Sequence, residues 1–192
     1  MLSLKGQFLV AMPDMGDERF RDTVIYLVGH GEEGAMGLVV NQSLEDMTFA
    51  DILEDLKLGD GEELIHVPEG IRERRVMRGG PVQQSRGFVL HSPDYFRQDN
   101  SYPVSDEVCL TATLDVLKAI AFKNTPADAL FALGYCGWSP GQLEGEIKGN
   151  GWLTVPFSRA LLFDAPIEER YDAALGQLGI TRASLSGVAG HA

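Results

Sequence analysis

The run Thr23-Val-Ile-Tyr-Leu-Val28 is apolar, β-branched and aromatic almost without interruption, and no other stretch constrains the fold as much. A strand with one wet face alternates polar and apolar residues, whereas a run that does not alternate belongs to a strand buried on both faces. This strand is expected at the centre of a sheet. Gly29-His-Gly-Glu-Glu-Gly34 follows and spells GxGxxG. A dinucleotide site needs that loop to open a helix whose N–H groups hold the pyrophosphate. Here Ala35-Met-Gly-Leu-Val-Val-Asn41 resumes as a strand, and Glu32 and Glu33 would face the phosphates. A β-hairpin with a glycine-rich turn is expected, and no cofactor.

Gln7 to Met12 is a short apolar strand, and Pro13 to Asp17 a turn-rich acidic loop without the spacing of an EF-hand. Thr48-Phe-Ala-Asp51 opens a helix by capping-box logic, with Phe49, Ile52, Leu53 and Leu56 on one stripe and Gly59-Asp-Gly61 closing it. Leu64 to Val67 is a short strand or an extended piece. Val76 to Val82 is a strand end followed by a Gly-Gly-Pro turn, where glycine serves either positive φ or a close approach of backbones. Arg86 to His91 and Glu107 to Thr111 are strands, Ser92 to Pro103 a loop, and Thr113 caps a helix from Leu114 to Phe122 that should be the most buried one. Ala160 to Phe163 reads as a last strand. Asp164 to Glu169 then starts a helix bearing Tyr171, Ala174, Leu175 and Leu178 on one face.

The densest stretch runs from Leu133 to Pro156 and holds both tryptophans and Cys136. Its grammar is a strand ending at Gly134, a sharp turn, a helix and a strand from Trp152 to Val155. Ser139-Pro140-Gly141-Gln142 supplies an N-cap serine, an early proline and a glutamine at N3. Leu143 and Ile147 give that helix only a narrow apolar stripe, so Tyr135 and the tryptophans are expected to clamp its ends. Glu144 and Glu146, at i,i+2, face different directions and do not form a carboxylate pair with each other.

The 192 residues suit one domain spanning 1–192. No apolar run approaches the roughly 18 to 20 residues of a membrane span, and the N-terminus carries no export signal, so the expected compartment is the cytoplasm with Cys109 and Cys136 as reduced thiols. A net charge of −12 opposes direct nucleic-acid binding. Arg72-Glu-Arg-Arg75 with Arg78 is the one basic cluster, and reads as a solvated loop.

The sharpest catalytic reading places Cys136 as a nucleophile at the turn into a helix, with His30 or His91 as base; the alternative is a small residue packed where a strand meets a tight turn. His30 and His91 each end a strand, and would share a cleft were those strands neighbours, but two histidines do not make a zinc site. No catalytic residue, cofactor site or metal site is assigned.

Taken together, Gln7 to Pro13, Gly34 to Asn41, Gly79-Gly-Pro-Val82 with Arg86 to His91, Leu133 to Glu144 with Asn150-Gly-Trp-Leu153, and Gly190-His-Ala192 resemble the bacterial YqgE/AlgH family over nearly the whole chain. The resemblance implies an α+β fold: a single compact domain with a mixed, largely antiparallel sheet and about four helices packed on it. It implies no established activity and no known cofactor, together with a label of transcriptional regulator. This chain departs from the family pattern at Gly29, at Gln42-Ser43 where Arg-Pro is usual, at Cys136 where Ala is usual, and at Tyr171 where Trp is common. The reading adopted is a cytoplasmic, non-enzymatic binding or regulatory protein with a protein or small-molecule partner. Its candidate cleft comprises His30, Asn41, Arg86, His91, Trp138 and Gln142, where polar groups gather at the ends of apolar strands. The alternative is a small hydrolase or transferase using a cleft His or Cys.

Overall fold

In the computed structural model, which describes residues 3–13, 15–58 and 66–186, the Thr23 run becomes β2 (Val24–Gly31), and Val24 to Leu27 are fully buried. It pairs antiparallel with β1 (Phe8–Ala11) on one side and β3 (Gly34–Val39) on the other, Gly31 opposite Gly34 across the expected tight turn. β10 (Trp152–Val155) adds to the outer edge of β1. Beyond β3 the sheet continues through β9 (Ala129–Trp138), β6 (Val82–His91), β8 (Cys109–Thr111) and β7 (Ser101–Pro103). β4 (Ser43–Thr48) pairs with β5 (Arg75–Arg78), and β5 runs parallel to the first half of β9, the one parallel pairing among the described residues. The architecture is a mixed α+β sheet, largely antiparallel.

β9 is twice as long as its apolar run suggested, because it is two half-strands joined by a bulge at Gly134, whose φ is +76°. Before the bulge, Leu130 and Ala132 face one core and Phe131 the other; after it Tyr135 takes the first face and Cys136 the second. The bulge therefore inverts the alternation, and β6 accommodates it by letting residues 83–86 loop out between Val82↔Tyr135 and Gly87↔Leu133. On the opposite edge, β5 pairs with Phe131 to Leu133 and β3 with Cys136 to Trp138. At the handover Val39 N–H donates to Gly79 O (2.8 Å) and Gly79 N–H to Leu133 O (2.8 Å). The Gly-Gly-Pro turn thus answers a close approach of three backbones.

Both faces of the sheet are covered. One core runs the length of the sheet and takes in Tyr171, Ala174 and Leu175 of α5 (Arg170–Gln177). On the other face, α1 (Phe49–Asp55) and α3 (Leu114–Lys123) cover β5, β6 and the first half of β9, with Phe49 stacked on Phe131 at 4.3 Å. Such a pair adds about 1 kcal/mol beyond its buried area. α4 (Gln142–Lys148) covers the other half through Leu143 and Ile147. The capping box forms as expected, Thr48 N–H and Oγ1 both donating to Asp51 at 2.7 Å.

Three local expectations change. Ala160–Asp164 is a π-helical turn rather than a strand: four apolar residues carry too little periodicity to separate the two. A short α2 (Glu69–Arg72) leads into the exposed stretch expected from Arg72, which ends where Arg75 opens β5, and α6 (Arg182–Ser186) follows α5. Residues 66–67 form a turn and bend, while 64–65 and the expected helix stop at 59–61 lie outside the described residues. Among the described residues no helix is long and apolar enough to cross a membrane.

Candidate functional site

The tryptophans that flank α4 in sequence close on it in space. Trp138 ends β9, Trp152 opens β10, and their rings meet edge to face at 6.1 Å. Leu143, fully buried, pins α4 to the sheet and turns Glu146 towards both indoles. Glu146 Oε2 accepts Trp138 Nε1–H at 2.9 Å and Trp152 Nε1–H at 2.7 Å, and its Oε1 accepts Gln142 Nε2–H at 2.9 Å. Gln142 Oε1 in turn accepts the backbone N–H of Ser139 at 3.0 Å.

That last bond is the one the cap calls for, but the backbone beside it moves the helix start. Ser139 to Gln142 is a β-turn closed by Gln142 N–H donating to Ser139 O at 3.0 Å, with Pro140 second and Gly141 third at φ +76°. Proline followed by glycine is the signature of a type II turn, and it outweighs the serine cap. The helix begins two residues later than the cap implied.

These side chains line a cavity of about 410 Å³ with Met15, Phe20 and Val82. At its rim Arg19 pairs with Asp17 at 2.6 Å, which holds the Asp17 carboxyl below the usual carboxylate range. Cys136 lines it too, but the thiol is 2% exposed and donates to Gly79 O at 3.6 Å. Burial pushes its pKa up to about 12. A thiol so placed stays protonated and is a poor nucleophile.

On the other side of α4, Glu144 Oε1 lies 3.0 Å from Nε2 of His30, whose side chain is 2% exposed. Leu4 N–H donates to Nδ1 at 2.9 Å, so Nδ1 holds the lone pair and Nε2 the hydrogen that reaches Glu144. The Glu144 carboxyl sits below its usual range, chiefly through a hydrogen bond from its own backbone N–H, and also through His30. Both ring nitrogens are committed. A cavity of about 310 Å³ lined by Ser3, His30 and Glu144 adjoins this pair.

His91, fully buried, stands apart at the end of β6. Its Nδ1 faces Ser92 O at 2.9 Å and its Nε2 faces Thr111 Oγ1 at 2.8 Å, while Thr111 Oγ1 meets Ser101 Oγ at 3.0 Å and Arg97 N–H donates to Ser101 Oγ at 3.1 Å. The Ser92 carbonyl only accepts, which puts a hydrogen on His91 Nδ1. Burial lowers its pKa, which favours the neutral ring.

The six residues expected to share a cleft are thus divided. Trp138 and Gln142 meet at Glu146; His30 occupies the opposite side of the same helix. Asn41 accepts Val24 N–H and donates to Asp22 O, both at 2.7 Å, fastening the start of β2. Six residue steps separate Val24 from His30, roughly 20 Å along the strand. Arg86 lies on the outlooped part of β6, bonded to Gln83 and placed over the Phe88 ring. Strand ends look alike in sequence, whichever end of the sheet they occupy. Glu146, the residue that joins the site, was passed over as a partner of Glu144; its spacing from Gln142 and its position between the two tryptophans were the available signal. Among the described residues no group of three or more His, Cys, Asp or Glu could hold a metal ion.

Residues 8–183 match the model of the AlgH-like family, DUF179. The chain belongs to the AlgH-like family. Its relatives include UPF0301 proteins of Mesorhizobium japonicum, 54% identical over 98% of this chain and 93% of the relative, and of Sinorhizobium medicae, 50% identical over the same shares. The solution structure of AlgH from Pseudomonas aeruginosa is 44% identical, with a TM-score of 0.77 over 99% of this chain and 96% of that one. The crystal structure of DIP2367 from Corynebacterium diphtheriae, 19% identical with a TM-score of 0.74 over 97% and 92%, shares the AlgH-like fold.

Proposed function

We propose that this AlgH-like protein is a non-enzymatic, cytoplasmic binding protein with a regulatory role, whose ligand enters the cavity between Trp138, Trp152 and Phe20. The observation that carries the reading is the Glu146 carboxylate. An ionised carboxylate offers about four acceptor positions. Trp138, Trp152 and Gln142 occupy three, which leaves capacity for one donor from a ligand. Aromatic walls around a carboxylate suit a small molecule with a flat apolar body and an amine or amide N–H.

The chemical groups that an enzyme would need are spent. Both nitrogens of His30 and of His91 are bonded, and the Cys136 thiol is buried and protonated. A general base needs a free lone pair within reach of substrate. Any transcriptional effect acts through a partner, since a net charge of −12 opposes DNA and the longest described helix, α3, spends its buried face on the sheet.

Both tryptophans of the chain lie in the site, so intrinsic fluorescence reports occupancy directly. Titration with a panel of heteroaromatic amines and amides should shift the emission saturably for at least one member, and Glu146→Ala should abolish the shift. No response across the panel, or turnover of test esters that His30→Ala removes, would displace this reading in favour of the hydrolase alternative.

A further inference from the structure

Within the exposed stretch Arg72-Glu-Arg-Arg75, Arg74 alone turns inward and is half-buried. Arg74 precedes β5 and Arg75 opens it, at the far end of β9 from the tryptophans, where they line a cavity of about 200 Å³ with Arg170 and Asp128. Its remaining wall is apolar, including Leu162 and Phe163. Arg170 is 5% exposed and places two of its five donors on backbone carbonyls, Nε on Ala165 O at 3.1 Å and Nη1 on Val40 O. Arg74 Nη1 is buried, and among the described residues no acceptor reaches it.

Neither guanidinium has a carboxylate of its own. Asp128 and Glu168 are the acids that influence them, and each is bound to another arginine: Asp128 to Arg159 and Glu168 to Arg75. Arg159 also takes Asp164. Three guanidiniums, Arg74, Arg75 and Arg170, thus line the cavity with one carboxylate, Asp128, in a chain whose net charge is −12. Burying a cation without its counter-charge is costly, and the cost falls as soon as an anion arrives. Burial lowers the pKa of both groups, that of Arg170 to about 10.

We infer that this cavity is an oxyanion site, taking inorganic phosphate or the phosphate of a small phosphomonoester between Arg74, Arg75 and Arg170. Arginine forks match tetrahedral oxyanions, and the unpartnered Nη1–H supplies a donor already stripped of water. The site is separate from the tryptophan cavity. Ala129 lines one and Trp138 the other, at opposite ends of a strand that spans up to roughly 30 Å.

Melting of the full chain in sodium phosphate, against sodium chloride at equal ionic strength, tests the inference. Phosphate at about a hundred times its dissociation constant should raise the midpoint by roughly 5 °C or more. Arg74→Met should lose that response while melting no lower than the parent without phosphate, since it removes a buried unpaired donor. Arg75→Met, on the exposed rim, guards against a folding defect and should weaken phosphate binding by roughly tenfold. Glycerol phosphate as a second probe separates the sources: a larger rise than with inorganic phosphate marks a phosphomonoester site, a smaller one a site for the free ion. Equal midpoints in chloride, phosphate and glycerol phosphate, or a full response retained by Arg74→Met, would overturn it.

Discussion

Gly80 lies against Tyr135 so closely that a methyl group on its α-carbon would sit 2.1 Å from the Tyr135 carbonyl carbon and 2.5 Å from the Cys136 nitrogen. These are backbone atoms of β9 and cannot rotate away. Gly80→Ala should therefore force β5 and β9 apart and destabilise by about 3 kcal/mol or more, in the range of severe overpacking. Gly145, inside α4 with nothing within 4 Å of an added methyl, is the control. Gly145→Ala should stabilise by about 0.5 to 1 kcal/mol through helix propensity. Urea midpoints of the two variants should move in opposite directions.

Glu146 holds the two indoles, so its loss should cost more than that of an ordinary half-buried acid. Glu146→Ala strands the N–H groups of Trp138 and Trp152, with an expected cost of about 2 to 4 kcal/mol for two buried donors. Glu146→Gln keeps one oxygen for the indoles but turns an NH₂ against Gln142, and should cost about 1 kcal/mol. Equal denaturation curves for the two variants would contradict the hub assignment.

Acid should weaken the fold through His91. Its folded pKa lies below the ordinary 6.5, so the unfolded chain binds the proton first. The contribution is fully present above pH 6.5 and is lost as the pH falls from there towards the folded pKa, by up to about 1.4 kcal/mol per pH unit for one proton. Asp94 acts in the opposite sense and moderates the effect. Stability measured from pH 7.5 to 5 should fall less steeply in His91→Gln.

Cys136 should resist alkylation in the native state. With 2% exposure and a pKa near 12, the thiol should react with iodoacetamide only on unfolding, and labelling should follow the urea transition. Rapid modification of the folded protein at neutral pH would restore the nucleophile reading.

How far the sequence disclosed this molecule depended on the kind of signal. The buried run at Thr23, the hairpin at Gly31 and Gly34 and the capping box at Thr48 are local, and each formed where the residues placed it. The extent of β9 was not local. Its second half is held by β3 on one edge, and after Gly134 the exposed Gly137 alternates with buried Cys136 and Trp138, so no apolar run announced it. The candidate site was legible in part: Trp138 and Gln142 were picked out, but the carboxylate between them was not, because its role depends on Trp152 returning from β10. Asn41 and His91 were grouped with them because strand ends carry polar residues at both ends of a sheet, and nothing in the order of residues says which end is which.

β1 and β10 pair Phe8 with Val155, joining segments from opposite parts of the chain. During synthesis at about 5 to 20 residues per second, β1 emerges on the order of ten seconds before its outer neighbour exists. All four of its residues end up buried. Until β10 arrives they form an apolar strand with one unpaired edge, the template on which nascent chains associate. A ribosome stalled before Trp152 thus releases a fragment prone to aggregate, and completion of the last strand is the step that makes the product safe to let go.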